Sequence, residues 1–349
     1  MKAAEYHGGK DVRIVELPVP RIGAGELLVR VSQCGICGSD ILDWYAMSKS
    51  TRFFGHEISG VIEAVGPGLT DWTVGERVFV HHHVPCFICH HCLRGNHTLC
   101  RMFHNTRIDP GGMAEYVRVP RLNVEHGGVI RLSDGVSLDE ASLIEPVACC
   151  LRGLKKVNLH EGDTVLVMGG GFTGLVHARL AKILGAGLVG LTDYVDFKLQ
   201  QADEFGVDFV ANSRRDDIGS MLTEVTGGRA ADVVVITPGS IAAVEEGMRY
   251  LGKGGTLYIF GLVGPDERVP VSPHSLLFSE LRIVAAYSAS PMETHTVYRL
   301  METGNLSFAE LITHRFPLEE AGKAIRVAMQ HGESLKVVVE LNKSVGSRP

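Results

Sequence analysis

Cys86, Cys89, Cys92 and Cys100 stand as C-x2-C-x2-C-x7-C in the loop PCFICHHCLRGNHTLC. Thiolates so close in sequence can complete a tetrahedron on Zn²⁺, and four sulfur ligands leave no position for substrate, so the expected site is structural. The ferredoxin run C-x2-C-x2-C-x3-C-P is absent, and four unligated thiols would be an oxidation hazard. A second set of donors is scattered: Cys37 in CGICGSD, His56 and Glu57 in FFGHE, Glu145 in LIEP. Mixed S, N and O donors suit a catalytic zinc with room for a water or an alcohol oxygen. Taken singly, each equally fits a core residue, as Cys34, Cys149 and Cys150 are read. His81 to His83, His90, His91 and His97 could bind adventitious metal but are read as solvated loop residues without a role.

A third constellation runs from Thr164 to Asp193. Val165 to Met168 form a short apolar run suited to a parallel strand buried on both faces. Gly169, Gly171 and Gly174 then give G-x-G-x-x-G. The first glycine permits a tight turn, the second lets backbone N–H groups approach a pyrophosphate, and the third lets helix pack on strand. Val176, Leu180, Ile183 and Leu184 follow at helical spacing, so an anion would meet a helix N-terminus. Leu188 to Leu191 make a second strand. Asp193, nineteen positions after Gly174, can accept hydrogen bonds from an adenosine ribose and would repel a 2′-phosphate, which favours NAD over NADP. Arg214 and Arg215 stand too far along the chain to be an obvious phosphate pocket, though a fold could bring them closer.

These groups need elements to hold them. Residues 1–149 contain short runs broken by Gly and Pro, at Val12–Glu16, Leu27–Val31, Ile58–Val65, Arg77–Val80 and Tyr116–Val119, which predict a largely antiparallel β domain. Over 150–289 strands alternate with helices: Val165–Met168, Leu188–Leu191, Asp208–Ala211, Val233–Ile236, Thr256–Phe260 and Ile283–Ala286, with a helical face at Ile241, Val244, Met248 and Leu251. That pattern predicts a doubly wound parallel sheet, hence an α/β protein. Over 290–349 come two helical segments and a strand at Leu335–Leu341, expected to return to the first domain. The chain has 349 residues, enough for about two domains. With 34 Lys and Arg against 40 Asp and Glu, the net charge is −6 and no basic run stands out, which argues against nucleic acid or anionic membrane as partner. No apolar run has the length of a signal h-region or a membrane span, so a cytoplasmic protein is expected.

In order along the chain, CGICGSD (34–40), GHE (55–57), the four-cysteine lobe (86–100), EP (145–146) and GGGFTG (169–174) together resemble the zinc-containing medium-chain dehydrogenase/reductase family, nearly end to end. The resemblance implies a GroES-like β-rich catalytic domain (1–149 and 290–349), a Rossmann NAD-binding domain (150–289) and a zinc in the cleft between them. Glu145, where classical alcohol dehydrogenases carry Cys, makes the chain more similar to the polyol branch of sorbitol and L-threonine dehydrogenases. By that resemblance Cys37 and His56 are zinc ligands, while Glu57 and Glu145 ligate directly, through water or in exchange with it. Ser39 matches the hydroxyl that relays the substrate proton; Leu42 stands where several relatives carry a relay His. Gly169, Gly171, Phe172, Thr173, Gly174 and Asp193 would hold NAD, with Lys198 helping at the adenosine end by analogy.

The activity so implied is hydride transfer between NAD and a polyol, a secondary alcohol or its ketone, with one catalytic and one structural zinc per chain. Two alternatives are a quinone or enoyl reductase of the same superfamily lacking the catalytic zinc, and a non-catalytic NAD-binding zinc protein. Cys37, His56 and Glu57 together weigh against the first; only Leu42 hints at the second. The family suggests homodimers or homotetramers, with Val269–Val271 as a pairing strand. The loops Asp43–Ser50 and His104–Asp109 are expected to shape the substrate pocket.

Overall fold

The computed structural model describes residues 1–49, 51–330 and 332–342; Ser50 of the Asp43–Ser50 loop and the chain beyond Asn342 lie outside the described residues. Two compact units emerge: Met1–Ala148 with Ser288–Gln330 and the closing strand, and Cys149–Tyr287. The chain passes from one to the other inside the helix Ile144–Val157.

In the first unit β1 (Lys2–Tyr6) and β2 (Val12–Glu16) form a hairpin. β3 (Leu27–Gly35), β4 (Glu57–Val65), β5 (Arg77–Val80), β6 (Tyr116–Val119) and β7 (Val129–Arg131) belong to a larger sheet. Its centre is the antiparallel pair β3–β4, with β5 on the far side of β4 and β6 against the start of β3. Leu27, Val29, Val31, Ile58, Ile62, Val78 and Val80 supply the core, as alternating apolar side chains on one face must.

The second unit holds β8 (Thr164–Met168), β9 (Leu188–Asp193), β10 (Phe209–Asn212), β11 (Ala231–Ile236), β12 (Leu251–Ile259) and β13 (Arg282–Ala285). All pair in parallel, in the order β10-β9-β8-β11-β12-β13, the doubly wound arrangement. Every residue of central β8 is buried, which is why Val165 to Met168 are apolar without a break.

The chain then returns to the first unit. After the helix Pro291–Glu302, β14 (Ile312–Pro317) and β15 (Lys336–Glu340) pair in parallel, and β15 joins β3 antiparallel through Val338↔Gly35. Between them the helix Ala321–Ala328 buries Ala321, Ala324 and Ile325 in the same core. Val269–Val271 runs as half-buried to exposed loop and pairs with no described strand of its own chain.

Candidate metal centre and dinucleotide site

The register of the first sheet decides which residues can meet. Gly35 pairs with Glu57 and Ile58 with Val80, so the end of β3, the start of β4 and the end of β5 lie side by side. Cys37 follows β3, His56 precedes β4 and His81 follows β5. Gly35 must lack a side chain, since a Cβ there would lie 2.0 Å from Glu57 Oε2. Cys37, His56 and Glu57 thereby gather with their ligand atoms within 4.8 Å of one another. Ser39 sits half-buried on the single turn Gly38–Asp40 just beyond Cys37.

Glu145, from the first turn of the helix Ile144–Val157, is buried and falls into a different group, with His81 and His82. This corrects the reading of the histidines. His90 and His91 are exposed, whereas His81 is fully buried, His82 and His83 are half-buried, and His97 meets Ser290 Oγ at 3.1 Å. A tract that directly continues a buried strand cannot be solvated throughout. Burial pushes the His81 pKa down to about 4 and that of His83 to about 3, and holds His82 well below its usual value.

Two further residues complete the surroundings. Asp40 is buried; its Oδ2 accepts from the Cys37 N–H at 3.2 Å and its Oδ1 lies 3.6 Å from His56 Nδ1. Lys336, at the start of β15 and buried, contacts Glu57 Oε2 and donates to the Ile36 carbonyl at 3.1 Å. Burial alone would lower the His56 pKa, but the charges of Asp40 and Cys37 outweigh it and push it up to about 10. Such a site favours added positive charge. Glu57 Oε1, buried and without a hydrogen-bond partner, is an open donor of the kind a metal satisfies. The residues present therefore fit zinc.

The four-cysteine lobe fits zinc as well. Cys86, Cys89, Cys92 and Cys100 bring their sulfurs within 4.8 Å of one another, the Cys86–Cys100 pair at 3.5 Å, and pack on Phe103. All eight cysteines are free thiols. Cys34 and Cys150 are core residues and Cys149 is half-buried.

In the second unit, β8 ends at Met168 and Gly169 turns the chain with φ +96°, in the left-handed region that glycine tolerates. Gly171 caps the helix Phe172–Ile183, and a Cβ on it would meet open space. A Cβ on Gly174 would lie 1.8 Å from the Gly169 carbonyl, so the helix can sit this close to the strand only with glycine there. Phe172 is buried at the start of that helix, and Thr173 is half-buried. Asp193 ends β9 and is buried; Oδ2 accepts from the Gly170 N–H and Oδ1 from the Val195 N–H, both at 2.8 Å, and Lys198 Nζ lies 3.9 Å from Oδ2. The fold does bring Arg214 closer. Asn212 pairs with Asp193 across β10 and β9, which carries the Arg214 guanidinium to 4.4 Å over the Tyr194 ring.

Residues 23–126 match the family model of the alcohol dehydrogenase GroES-like domain, and 173–303 that of zinc-binding dehydrogenase. The chain is 31% identical to a sorbitol dehydrogenase of Bacillus subtilis (strain 168), covering 98% of both chains. It is 31% identical to an erythritol/L-threitol dehydrogenase of Mycolicibacterium smegmatis, covering 97% of this chain and 96% of that one. A structure from Sinorhizobium meliloti 1021, assigned as a zinc-binding dehydrogenase and bound to NADP, superposes with a TM-score of 0.87 at 28% identity, over 97% of this chain and 99% of that one. With both folds, the gathered donors and this end-to-end similarity in hand, the chain belongs to the zinc-containing medium-chain dehydrogenase family, in its polyol branch, and is an enzyme, a zinc-dependent oxidoreductase.

Proposed function

We propose that the enzyme oxidises a polyol or secondary alcohol, and reduces the matching ketone, with NAD. The observation that carries this reading is the convergence of Cys37, His56 and Glu57 at the joined ends of β3 and β4. Zinc held there supplies Lewis-acid stabilisation of negative charge on a substrate oxygen. Cys37 and His56 are the firm ligands; Asp40 orients His56 and Lys336 balances Glu57. Glu145 acts from beside the histidine tract, and Ser39 carries the substrate proton outward. With Leu42 where a relay His would stand, that proton leaves through the cofactor ribose or through water. A ≈ 240 Å³ hollow bordered by Asp40, Lys49, Thr51 and Arg52, with Tyr6, Phe53 and Phe54, adjoins the site and offers several hydrogen-bonding groups, as a hydroxyl-rich substrate requires.

The same reading makes 1–149 with 290–349 the catalytic domain, 150–289 the NAD domain and the four-cysteine lobe a structural zinc. Gly169, Gly171, Phe172, Thr173 and Gly174 cradle the pyrophosphate, and Asp193, with Lys198 beside it, takes the adenosine ribose. Free thiols throughout suit the cytoplasm. Among the described residues no helix is long and apolar enough to cross a membrane. Homo-oligomers are supported by the edge strand β13, beside which Leu277 and Phe278 are 72% and 69% exposed.

The test is NADH formation across polyols and secondary alcohols, with wild-type enzyme, Cys37→Ser and Glu145→Ala. Expected are turnover on a subset of vicinal diols or sugar alcohols, a fall of about 10²-fold or more in both variants, and NAD affinity within twofold of wild type. Alkene or quinone reduction with NADPH, or no oxidation of any alcohol, would refute the reading.

A further inference from the structure

We propose that the polyol this enzyme acts on carries an anionic group, a carboxylate or a phosphate, which Lys49 and Arg52 receive in the hollow beside the Cys37 group. This rests on the oxidation of polyols proposed above and names the substrate class within it. The ≈ 240 Å³ hollow is bordered by Asp40, whose Oδ1 lies 3.6 Å from His56 Nδ1, so one of its walls is the support of a metal donor. Lys49 and Arg52 border the same space.

Neither cation is spent on a carboxylate. Among the described residues Lys49 Nζ makes no hydrogen bond; it lies over the Tyr45 ring at 4.9 Å, and Asp40 Oδ1 is 4.0 Å away. That acid already serves other groups, since Oδ2 accepts from the Cys37 N–H and Oδ1 faces His56. Arg52 donates from Nη1 to His7 Nδ1 at 2.8 Å. A guanidinium can only donate, so Nδ1 accepts and the His7 hydrogen stands on Nε2, which meets Glu5 Oε2 at 3.0 Å. The chain Arg52–His7–Glu5 aims the guanidinium and leaves its Nε and Nη2 without an acceptor among the described residues. Asp43, close by, is engaged as well: it accepts from the Tyr6 hydroxyl and from the Gly9 N–H at 3.0 Å. The hollow thus holds two positive charges with unused N–H donors and one lining carboxylate, which is turned toward His56.

The rest of the lining sharpens this charge. Ala46, Met47, Phe53 and Phe54 add apolar wall, and a charge beside low-dielectric surface is screened less than one in open water. Thr51 Oγ1 accepts from the Phe53 N–H at 3.2 Å, which leaves its own hydrogen for a substrate oxygen. An ammonium acting as a point charge and a guanidinium with free N–H groups together suit a group bearing several anionic oxygens. A neutral sugar alcohol would give neither cation a charged partner.

The test compares kcat/KM of the zinc-loaded full chain, with NAD, on matched members of one carbon skeleton: sorbitol, gluconate and the terminal monophosphate of sorbitol, then erythritol, erythronate and the terminal monophosphate of erythritol. In at least one set wild type is expected to prefer an anionic member over the neutral one by about tenfold or more, and the preference to shrink as ionic strength rises. Lys49→Gln and Arg52→Gln should each lower the anionic-to-neutral ratio by about tenfold, and Lys49→Arg should keep most of it. A ratio taken within one protein is insensitive to general loss of fold or metal. A lead for the acid assigns a carboxylate and a lead for the monophosphate assigns a phosphate; either supports the proposal. Neutral polyols used as well as their anionic counterparts in both sets, or a ratio unmoved in both glutamine variants, would overturn it. Oxidation of no alcohol, neutral or charged, would overturn the polyol reading itself, so the two failures are told apart.

Discussion

Asp193 does two jobs with one carboxylate. Its oxygens already accept from the Gly170 and Val195 N–H groups, so the acid fixes the glycine turn in addition to the ribose contact proposed for it. Asp193→Gly should therefore lower the NAD-over-NADP preference and also cost about 1–3 kcal/mol of stability, because two backbone donors lose their partner. Steady-state kinetics with both cofactors, beside denaturant unfolding, checks this; an unchanged cofactor ratio would show that the acid does not select. At this scale the sequence carried the donors whose type is diagnostic, Cys37, His56, Glu57 and the four lobe cysteines. It did not disclose Asp40 or Lys336 as neighbours of the Cys37, His56 and Glu57 group, although Asp40 lies within CGICGSD. Their roles depend on register: Lys336 reaches Glu57 only because β15 joins β3. A lysine opening the apolar strand KVVVE was the one available signal.

Among elements, the lobe and the helix Phe172–Ile183 make the sharpest claims. The lobe's apolar core is Phe103 and two buried cysteines, too little to stand without a metal. Cys92→Ser should lose one zinc and lower the melting temperature; a variant keeping full zinc content and stability would contradict a structural site. The helix carries His177, wholly buried against the Tyr258 and Phe260 rings, its pKa lowered by burial to about 4. A histidine held neutral contributes its full stability above the unfolded value near 6.5 and loses it as pH falls toward 4, because the unfolded chain binds the proton more readily. The loss is on the order of 3 kcal/mol from this residue. His177→Gln should flatten unfolding free energy against pH between those values, compared with wild type. Strands rich in β-branched residues were legible, β2, β5 and β6 to the residue. β1 (KAAEY), β7 (VIR) and β14 (ITHRFP) were not, since each is short or poor in alternating apolar positions and is held by its neighbours.

On the scale of the whole molecule, Leu277 and Phe278, on the helix Pro273–Ser279 just before β13, are adjacent large apolar side chains that a lone chain leaves uncovered, as it does Ile88 and Leu93. Phe278→Asp should shift the protein toward monomers in sedimentation or light scattering, with NAD affinity retained; an unchanged mass would move the interface elsewhere. The parallel sheet of the second unit is assembled from one uninterrupted stretch, whereas the first unit's sheet is finished only when β15 reaches β3. That ordering sets a sequence of events during synthesis. A ribosome that has emitted the first 330 residues has delivered every ligand of the candidate zinc centre, yet Glu57 still lacks its counter-charge and β3 shows an open edge. A chain interrupted there therefore carries two marks of incompleteness at once, a buried carboxylate without its lysine and an unpaired stretch of strand that another chain could join.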